Sequence, residues 1–360
     1  MTSDTKLTII KPDDWHLHLR GGYILRAVLP YSAKWNGRAI VMPNGPMIRT
    51  AVEAKLYQEE IITVRDELCQ GSAFQPLMTI YLTPDTDPDD VERGFDEGIV
   101  KAVKRYPKGA TTGSEAGVED LESNRPVFKM MERRGIPLLC HDEVVVNNGE
   151  EVDDYEREAV FMDTIGYKLV HDYPDLPISM EHIGKLGAIE FVEKYGGPRL
   201  VATVTPHHAT FDRRDRYRHG GNAPDLTCRP FIGDLRDRDR LWKLLKKRPS
   251  FLFLGTDSAP WLDSKKASPT MCPCGCFNSP NAIGMYADIF ERLGVLDYLE
   301  EFACLNGPRF YNMKPNSETI TLVKKPWRAR GLVPSADGAI RPVGYRHNRN
   351  TNLEVAWQQA

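Results

Sequence analysis

Short apolar runs alternate along the chain with longer segments that have helical spacing. Each run ends in polar, Gly or Pro residues, which is typical of strands buried in a parallel sheet. Eight such runs are found, at 7–19, 37–44, 76–84, 99–107, 136–143, 177–184, 200–208 and 251–260. The run at 99–107 carries three basic residues, so a helix remains the alternative interpretation of that run.

The segments between the runs repeat their apolar residues at the spacing of an amphipathic helix. Helices are predicted at 50–69, 124–135, 156–174, 187–197, 234–247 and 281–307. Strands alternating with helices predict an α/β fold, a (β/α)8 TIM barrel with loop insertions, over residues 1–315. Residues 316–360 lack strong periodicity. We expect them to form an extension packed on the barrel, not a second domain.

Composition narrows the class of protein. Of 360 residues, 41% are hydrophobic and 27% charged, and the net charge of −3 implies no general attraction to nucleic acid or membrane. No uninterrupted apolar run approaches the ~18 residues of a membrane helix, and the first residues lack a signal-peptide core. The seven cysteines suit a reducing compartment. A cytoplasmic protein is expected.

The first apolar run contains two histidines one residue apart, His16 and His18. Alternate residues of a strand point to the same face, so both imidazoles would enter the same space. A metal ion would suit two imidazoles there, whereas a pair of polar residues on a half-exposed strand is the alternative.

Barrel enzymes carry their active sites at the C-terminal ends of the strands. Six of the nine histidines lie at predicted strand ends: His16, His18, His141, His182, His207 and His208. Asn44 and Asp257 also follow strands, and Lys101 and Lys104 lie on the fourth. Imidazoles and a carboxylate on one rim are suitable ligands for zinc and related divalent metals.

Three cysteines lie together in the sequence CPCGC, at Cys272, Cys274 and Cys276. Single-residue spacing is tighter than in usual structural zinc sites, where paired cysteines are two or more residues apart. We therefore expect a loop kinked by Gly and Pro here, not a zinc knuckle.

Eight motifs between residues 7 and 312 resemble, in order, those of the dihydroorotase family, single-domain class, of the amidohydrolase superfamily. They are DDWHLHLRGG, AIVMPN, YPKGATTGSEAGV, LLCHDE, MEHI, TPHH, FLGTDSAP and GCFNSPNAIG. The resemblance implies a (β/α)8 barrel. It also implies reversible, zinc-dependent cyclisation of N-carbamoyl-L-aspartate to L-dihydroorotate plus water in pyrimidine biosynthesis, by a cytoplasmic homodimer.

The same resemblance implies a centre of two Zn²⁺ per subunit. His16, His18 and Asp257 match the ligands of the more buried zinc. His141 and His182 match those of the second zinc, and Lys104 matches a bridging lysine that CO₂ converts to N6-carboxylysine. Asp257 would also act as the general base, and Lys101 matches no such role.

The resemblance assigns substrate contacts as well. Arg20 and Asn44 match the residues that hold the substrate carboxylate, and His141 is a further predicted substrate contact. Thr111 and Thr112 match the mobile loop that closes over the substrate.

Two positions depart from the family pattern. Trp261 stands where a carboxylate-binding histidine is usual, and Arg229 stands where leucine is usual. Arg229 is a candidate for the missing positive charge, and the Trp261 indole N–H is a candidate donor. Arg229 and Trp261 are therefore further candidate substrate contacts, and Cys274 is a third candidate.

Two other functions remain open from the sequence. Another cyclic-amide hydrolase, of the dihydropyrimidinase or hydantoinase type, would share the metal ligands, but Arg20 and Asn44 favour a substrate that carries a carboxylate. A catalytically inactive scaffold would be expected to lose ligands, and all six are present here.

Overall fold

The structure is a computed structural model that describes residues 5–119, 121–220, 223–268, 272–327, 331–343 and 354–359. Its strands are β1 Lys6–Ile10, β2 Asp14–Leu17, β3 Arg38–Val41, β4 Gln75–Tyr81, β5 Val100–Arg105, β6 Leu138–His141, β7 Val146–Asn147, β8 Glu150–Glu151, β9 Ile178–Glu181, β10 Leu200–Val204, β11 Leu252–Leu254, β12 Thr319–Trp327, β13 Val333–Ser335, β14 Gly338–Ile340 and β15 Glu354–Gln359.

Eight strands form one parallel sheet in the order β2-β3-β4-β5-β6-β9-β10-β11. Each of the eight predicted runs overlaps one of them, including the basic run, which holds β5. A parallel bridge between Leu17 and Ser258 joins the two ends of the sheet. The sheet therefore closes into the (β/α)8 barrel that the sequence predicts.

The α-helices are α1 Gly22–Trp35, α2 Ala51–Leu68, α3 Pro88–Asp96, α4 Arg125–Arg134, α5 Arg157–Phe161, α6 Tyr167–Asp172, α7 Leu186–Tyr195, α8 Pro206–Thr210, α9 Leu235–Leu245, α10 Asp263–Lys266, α11 Ala282–Leu293 and α12 Asn306–Phe310. Thr50 and Glu53 form a capping box at α2, and Gly135 ends α4 in the left-handed conformation, φ 65°. The capping box sets the start of α2, and the left-handed glycine sets the end of α4.

Helices α1 and α3 are absent from the sequence prediction. Helix α1 contains Pro30, a residue that usually argues against a helix interior. Asp87 caps α3 by accepting a hydrogen bond from Asp89 N, and Pro88 occupies its first position. Capping at the Asp87-Pro88 step was a usable signal for this short helix.

The first predicted run holds two strands. Strand β1 pairs antiparallel with β12, and only β2 enters the barrel. Pro12 lies between them and has no N–H to offer a ladder, which ends β1. Strand β12 also pairs with β15, so part of the C-terminal extension forms a three-stranded sheet with the start of the chain.

A buried cluster of apolar side chains lies in the interior, and six of its members stand on barrel strands. It consists of Trp15, Ile40, Met42, Ala102, Leu139, Val201, Phe253 and Tyr311. Trp15 stacks on Tyr311 with 4.5 Å between ring centroids, and Phe253 meets Trp15 edge-on at 6.2 Å. This layered packing holds the strands at fixed spacing beneath the rim.

In the described part of the chain, no helix combines the length and the apolar character that crossing a membrane requires.

Replacing Phe253 by Ala tests the interior cluster. Phe253 is fully buried, so Phe253→Ala should lower the free energy of unfolding by about 3–5 kcal/mol. Urea denaturation followed by circular dichroism measures the change. Val52→Ala, at a side chain that is 61% exposed, is the control and should cost less than about 0.5 kcal/mol. Equal costs at both positions would contradict this packing.

Candidate metal centre and substrate pocket

Three predicted ligands meet where the barrel closes. The Nε2 atoms of His16 and His18 lie 3.4 and 3.0 Å from Asp257 Oδ1. All three side chains are buried, and their donor atoms lie within 4.8 Å of one another. The neighbouring strand ends supply one face of a cluster suited to a divalent cation.

His141 and His182 complete the ring of imidazoles. The His182 ring centroid lies 5.0 Å from that of His16 and 4.7 Å from that of His141. His141 is the last residue of β6, and His182 follows directly after β9. Because β6 and β9 pair in parallel, their carboxyl ends present both rings at the same rim.

The backbone is strained at this rim. His182 and Asp257 have φ values of 49° and 44°, and Arg20 has 59°. A residue with a Cβ atom in this left-handed region costs about 1–3 kcal/mol and persists only where the surrounding structure enforces it. The strain therefore marks positions where side-chain direction is fixed at the expense of stability.

Lys104 lies on β5 and is completely buried. Its Nζ atom has no hydrogen-bond partner among the described residues, and it lies 5.2 Å from the centroid of the Tyr106 ring. Burial lowers the pKa of this ammonium group. The nearby carboxylates of Glu181 and Asp142 oppose that shift in the pKa. A buried lysine whose nitrogen has no hydrogen-bond partner favours a neutral amine or a chemical change that gives it a partner.

Two of these imidazoles contact a carboxylate through a ring nitrogen. Glu181 Oε2 forms a close contact with His16 Nδ1, and Glu143 Oε2 lies 2.6 Å from His141 Nε2. Thr203 Oγ1 donates to the same Glu181 oxygen at 3.2 Å. Such contacts fix the orientation and tautomer of a metal-binding imidazole. Both glutamates were missed from the sequence, although each stands within two residues of a predicted ligand.

Asp14 supports the closure from inside the barrel. Its carboxylate accepts hydrogen bonds from Thr256 N at 2.9 Å, Thr256 Oγ1 at 2.5 Å and His16 N at 3.2 Å. These bonds hold Asp257 beside His16. Asp14 immediately precedes Trp15 in the first motif, but spacing alone gave it no role.

Burial sets the protonation of the cluster. It lowers the pKa values of His18 and His141, and it lowers those of His16 and His182 well below the usual range. Burial also raises the pKa of Glu181 to about 7. The imidazoles are therefore neutral near neutral pH, as metal coordination requires.

The residues present fit a metal centre. Four neutral imidazoles and one carboxylate lie close together, and the charge of the buried Lys104 acts on all four imidazoles. The buried Nδ1 atoms of His18 and His182 have no hydrogen-bond partner among the described residues. Unpartnered buried donors and acceptors of this kind are costly, and cations coordinated by the cluster would compensate for part of that cost.

A pocket lies above the cluster. Its walls are formed by His16, His18, Arg20, Asn44, Tyr106, Thr111, Thr112, His141, Arg229, Asp257, Ala259, Cys274 and Gly275. All the predicted substrate contacts except Trp261 line this pocket. Arg20 is buried, and its guanidinium has no carboxylate partner among the described residues. The pocket therefore presents a positive charge without an ion-pair partner beside the predicted metal ligands.

The predicted mobile loop covers the pocket in this structure. Asn44 Nδ2 donates to Thr112 O at 3.0 Å, which ties the loop to the end of β3. Gly113 has φ 71°, and a Cβ atom there would lie 2.5 Å from Asn44 O. Only glycine permits this close approach of the two backbones.

The two positions that depart from the family pattern have other partners. Trp261 Nε1 donates to Cys274 O at 2.9 Å, and its ring lies 4.9 Å from Cζ of Arg20. Trp261 therefore packs against Arg20. Its indole N–H is already bonded to a backbone carbonyl of the protein. Arg229 Nη1 lies 2.7 Å from Asp154 Oδ1 and 3.6 Å from Glu143, so its charge is largely compensated.

The other strand-end histidines do not join the metal cluster. His207 and His208 lie in the first turn of α8. His208 contacts Thr205 Oγ1 at 2.8 Å through Nδ1 and Pro230 O at 3.0 Å through Nε2. His208 is thus a hydrogen-bonded structural residue in the present fold.

Comparison with known proteins gives the chain its relatives. It is 40% identical over 356 residues to a dihydroorotase of Picosynechococcus sp., and the match covers 99% of both chains. The crystal structure of Saccharomyces cerevisiae dihydroorotase in complex with 5-fluoroorotic acid has a TM-score of 0.87 at 27% identity. That match covers 99% of this chain and 98% of the yeast chain.

More distant structures share the fold alone. The L-hydantoinase of Arthrobacter aurescens has a TM-score of 0.73 at 12% identity, over 97% of this chain and 87% of its own. No family model matches the sequence. Near-complete coverage by a relative at 40% identity, on a barrel that brings together the predicted metal ligands and an arginine without an ion-pair partner, shows that this chain belongs to the dihydroorotase family.

Proposed function

We infer that the protein is a dihydroorotase, a metal-dependent cyclic amidohydrolase that interconverts N-carbamoyl-L-aspartate and L-dihydroorotate plus water. The observation that carries this conclusion is the single pocket in which the metal-ligand cluster and the unpaired Arg20 guanidinium face the same space. Kinship at 40% identity with a named dihydroorotase supports it.

We propose that the centre holds two Zn²⁺ ions. His16, His18 and Asp257 would hold one, and His141 and His182 the other. When bound, such a pair acidifies a water molecule and stabilises negative charge on the attacked carbonyl. Lys104, whose charge acts on imidazoles of both groups, would bridge them as N6-carboxylysine, formed when its neutral amine takes up CO₂. The buried, unpartnered Nζ supports this role.

The chain's own residues orient the reaction. Arg20 would bind the substrate carboxylate through its planar guanidinium, with Asn44 beside it. In hydrolysis, Asp257 would accept a proton from the attacking water. It would return that proton to the ring nitrogen as the C–N bond breaks, and the carbonyl carbon would become a carboxyl group that releases the second proton of the water to solvent and leaves as a carboxylate. Glu181 and Glu143 would keep the His16 and His141 rings in place.

The loop that holds Thr111 and Thr112 would exclude water from the covered pocket. Its tie to Asn44 connects the closure to the residue proposed to bind the carboxylate. Substrate binding and loop closure would therefore occur together. Arg229 and Cys274 would line the pocket without carrying the main charge, and Trp261 would hold Arg20 in place.

Family resemblance also supports a homodimer, and we propose this assembly and a cytoplasmic location for the protein. Sedimentation velocity of the purified protein would give the mass of two chains, whereas the mass of one would contradict the proposal.

Substrate comparison tests the function directly. The purified, zinc-loaded protein should hydrolyse L-dihydroorotate with a kcat/KM at least about 100-fold above that for dihydrouracil, because the uncharged ring leaves the Arg20 charge unpaired. Steady-state assays of both compounds provide the measurement. Equal activity on the two, or faster hydrolysis of dihydrouracil, would favour the hydantoinase alternative.

Arg20→Ala tests carboxylate binding. Loss of a charge-assisted contact should raise KM for L-dihydroorotate about 10–100-fold. Arg229→Ala should change it only a few-fold, because Asp154 and Glu143 already compensate that charge. Arg26→Ala, on the exposed face of α1, is the control. A larger effect at Arg229 than at Arg20 would transfer the carboxylate-binding role to Arg229.

Lys104→Ala tests the bridge. The unaltered protein, loaded with zinc in ¹³C-bicarbonate, should show a carbamate carbon resonance by NMR that Lys104→Ala lacks. The kcat of Lys104→Ala should fall at least about 100-fold, because stabilisation of charge by the metals is lost. Lys101→Ala, a change on the same strand, should keep both the resonance and the activity. A carbamate signal that survives in Lys104→Ala would disprove the assignment.

A further inference from the structure

Arg229 lies on one wall of the substrate pocket, yet its guanidinium is bound by groups of the protein. Nη1 donates a hydrogen bond to Asp154 Oδ1 at 2.7 Å and lies 3.6 Å from Glu143 Oε1. The Arg229 side chain is 13% exposed, whereas the side chain of Glu143 is completely buried. The positive charge at this wall is therefore engaged by two carboxylates of the chain itself.

Aromatic contacts fix the plane of the Arg229 guanidinium. Its Cζ atom lies 4.0 Å from the centroid of the Phe231 ring. An arginine that stacks on a ring keeps its N–H groups at the edge of its own plane, where carboxylates can accept them. The Phe231 ring lies 5.5 Å from the ring of Tyr155, the residue next to Asp154. Two neighbouring contacts thus hold the segment around Asp154 against the segment around Arg229.

Glu143 connects Arg229 to the proposed metal centre. Its Oε2 atom lies 2.6 Å from His141 Nε2, which leaves Nδ1 as the ring nitrogen for a metal ion. Among the described residues, Arg229 is the only Lys or Arg side chain within ion-pair distance of Glu143. A buried carboxylate that loses its cationic partner is strongly unfavourable, because its charge is then uncompensated. Without Arg229, the Glu143 side chain would turn toward water and would release the His141 ring.

We propose that Arg229 is a positioning residue, which holds Glu143 and through it sets the orientation of the His141 imidazole. The inference rests on the proposed function, because it takes His141 as a zinc ligand. A wall residue that the sequence offered as a substrate contact would then act on metal binding and on kcat. Binding of the substrate carboxylate would be left to Arg20.

Zinc affinity of the metal-free protein tests this role. Arg229→Met keeps the length of the side chain and removes its charge. Competition with a chromophoric chelator should show about 10-fold weaker binding of one of the two zinc equivalents, the lower end of the range for loss of a group that supports a metal-binding histidine. The kcat for L-dihydroorotate should fall by a similar factor, while KM should change by less than about three-fold.

Two further variants separate the charge of Arg229 from a general loosening of the pocket wall. Arg229→Lys restores a positive charge and should bring zinc affinity and kcat back toward those of the unaltered protein. Arg157→Met is the matched control. Arg157 is also a buried arginine, and its Nη1 lies 3.0 Å from the same Asp154 carboxylate, but it forms no ion pair with Glu143 among the described residues. This variant should bind both zinc equivalents as the unaltered protein does.

Unchanged zinc affinity in Arg229→Met, or an equal loss of affinity in Arg157→Met, would overturn the proposal. A rise in KM with kcat and zinc affinity unchanged would overturn it as well, because Arg229 would then be a substrate contact. The chelator titration uses no substrate, so its outcome is independent of the reaction. A protein that shows the expected zinc affinities but does not hydrolyse L-dihydroorotate would contradict the proposed function and not this inference.

Discussion

The hydrogen bond from Asp257 N to His16 O, 2.8 Å long, is the contact on which the site depends. It forms where the first and last strands of the barrel meet, next to the bond from His18 N to Ser258 O at 3.1 Å. Closure of the barrel and assembly of the first group of ligands are therefore the same event. A barrel that failed to close here would separate His16 and His18 from Asp257.

The site is assembled at a cost to stability. Neutral imidazoles, buried carboxylates and an unpartnered lysine occupy the barrel end, and residues with positive φ add strain. Each is unfavourable in an apolar interior unless charges compensate one another. The layered apolar cluster below the rim supplies the stability that offsets these groups. Cations held by the ligands would remove much of the remaining penalty, which links folding of the rim to metal binding.

Much of the fold and of the candidate site could be predicted from the sequence because the chain follows two simple regularities. Apolar runs of strand length marked all eight barrel strands, and the rule that barrel sites lie at strand C-termini selected His141 and Asp257. What could not be predicted depends on contacts between distant segments. The pairing of Glu181 with His16 and the hydrogen bonds from Thr256 to Asp14 leave no periodic signal. Pro12 divided one apolar run between two sheets, which periodicity alone does not reveal.

X-ray diffraction from crystals of the zinc-loaded protein, with anomalous scattering recorded at the zinc edge, tests the central claim most directly. The account predicts two anomalous peaks at the barrel rim, one beside His16 and Asp257 and one beside His141 and His182. It also predicts density for a carboxylate on Lys104 that joins the two peaks. An unmodified Lys104 in an active crystal form, or a rim without zinc between these ligands, would contradict it.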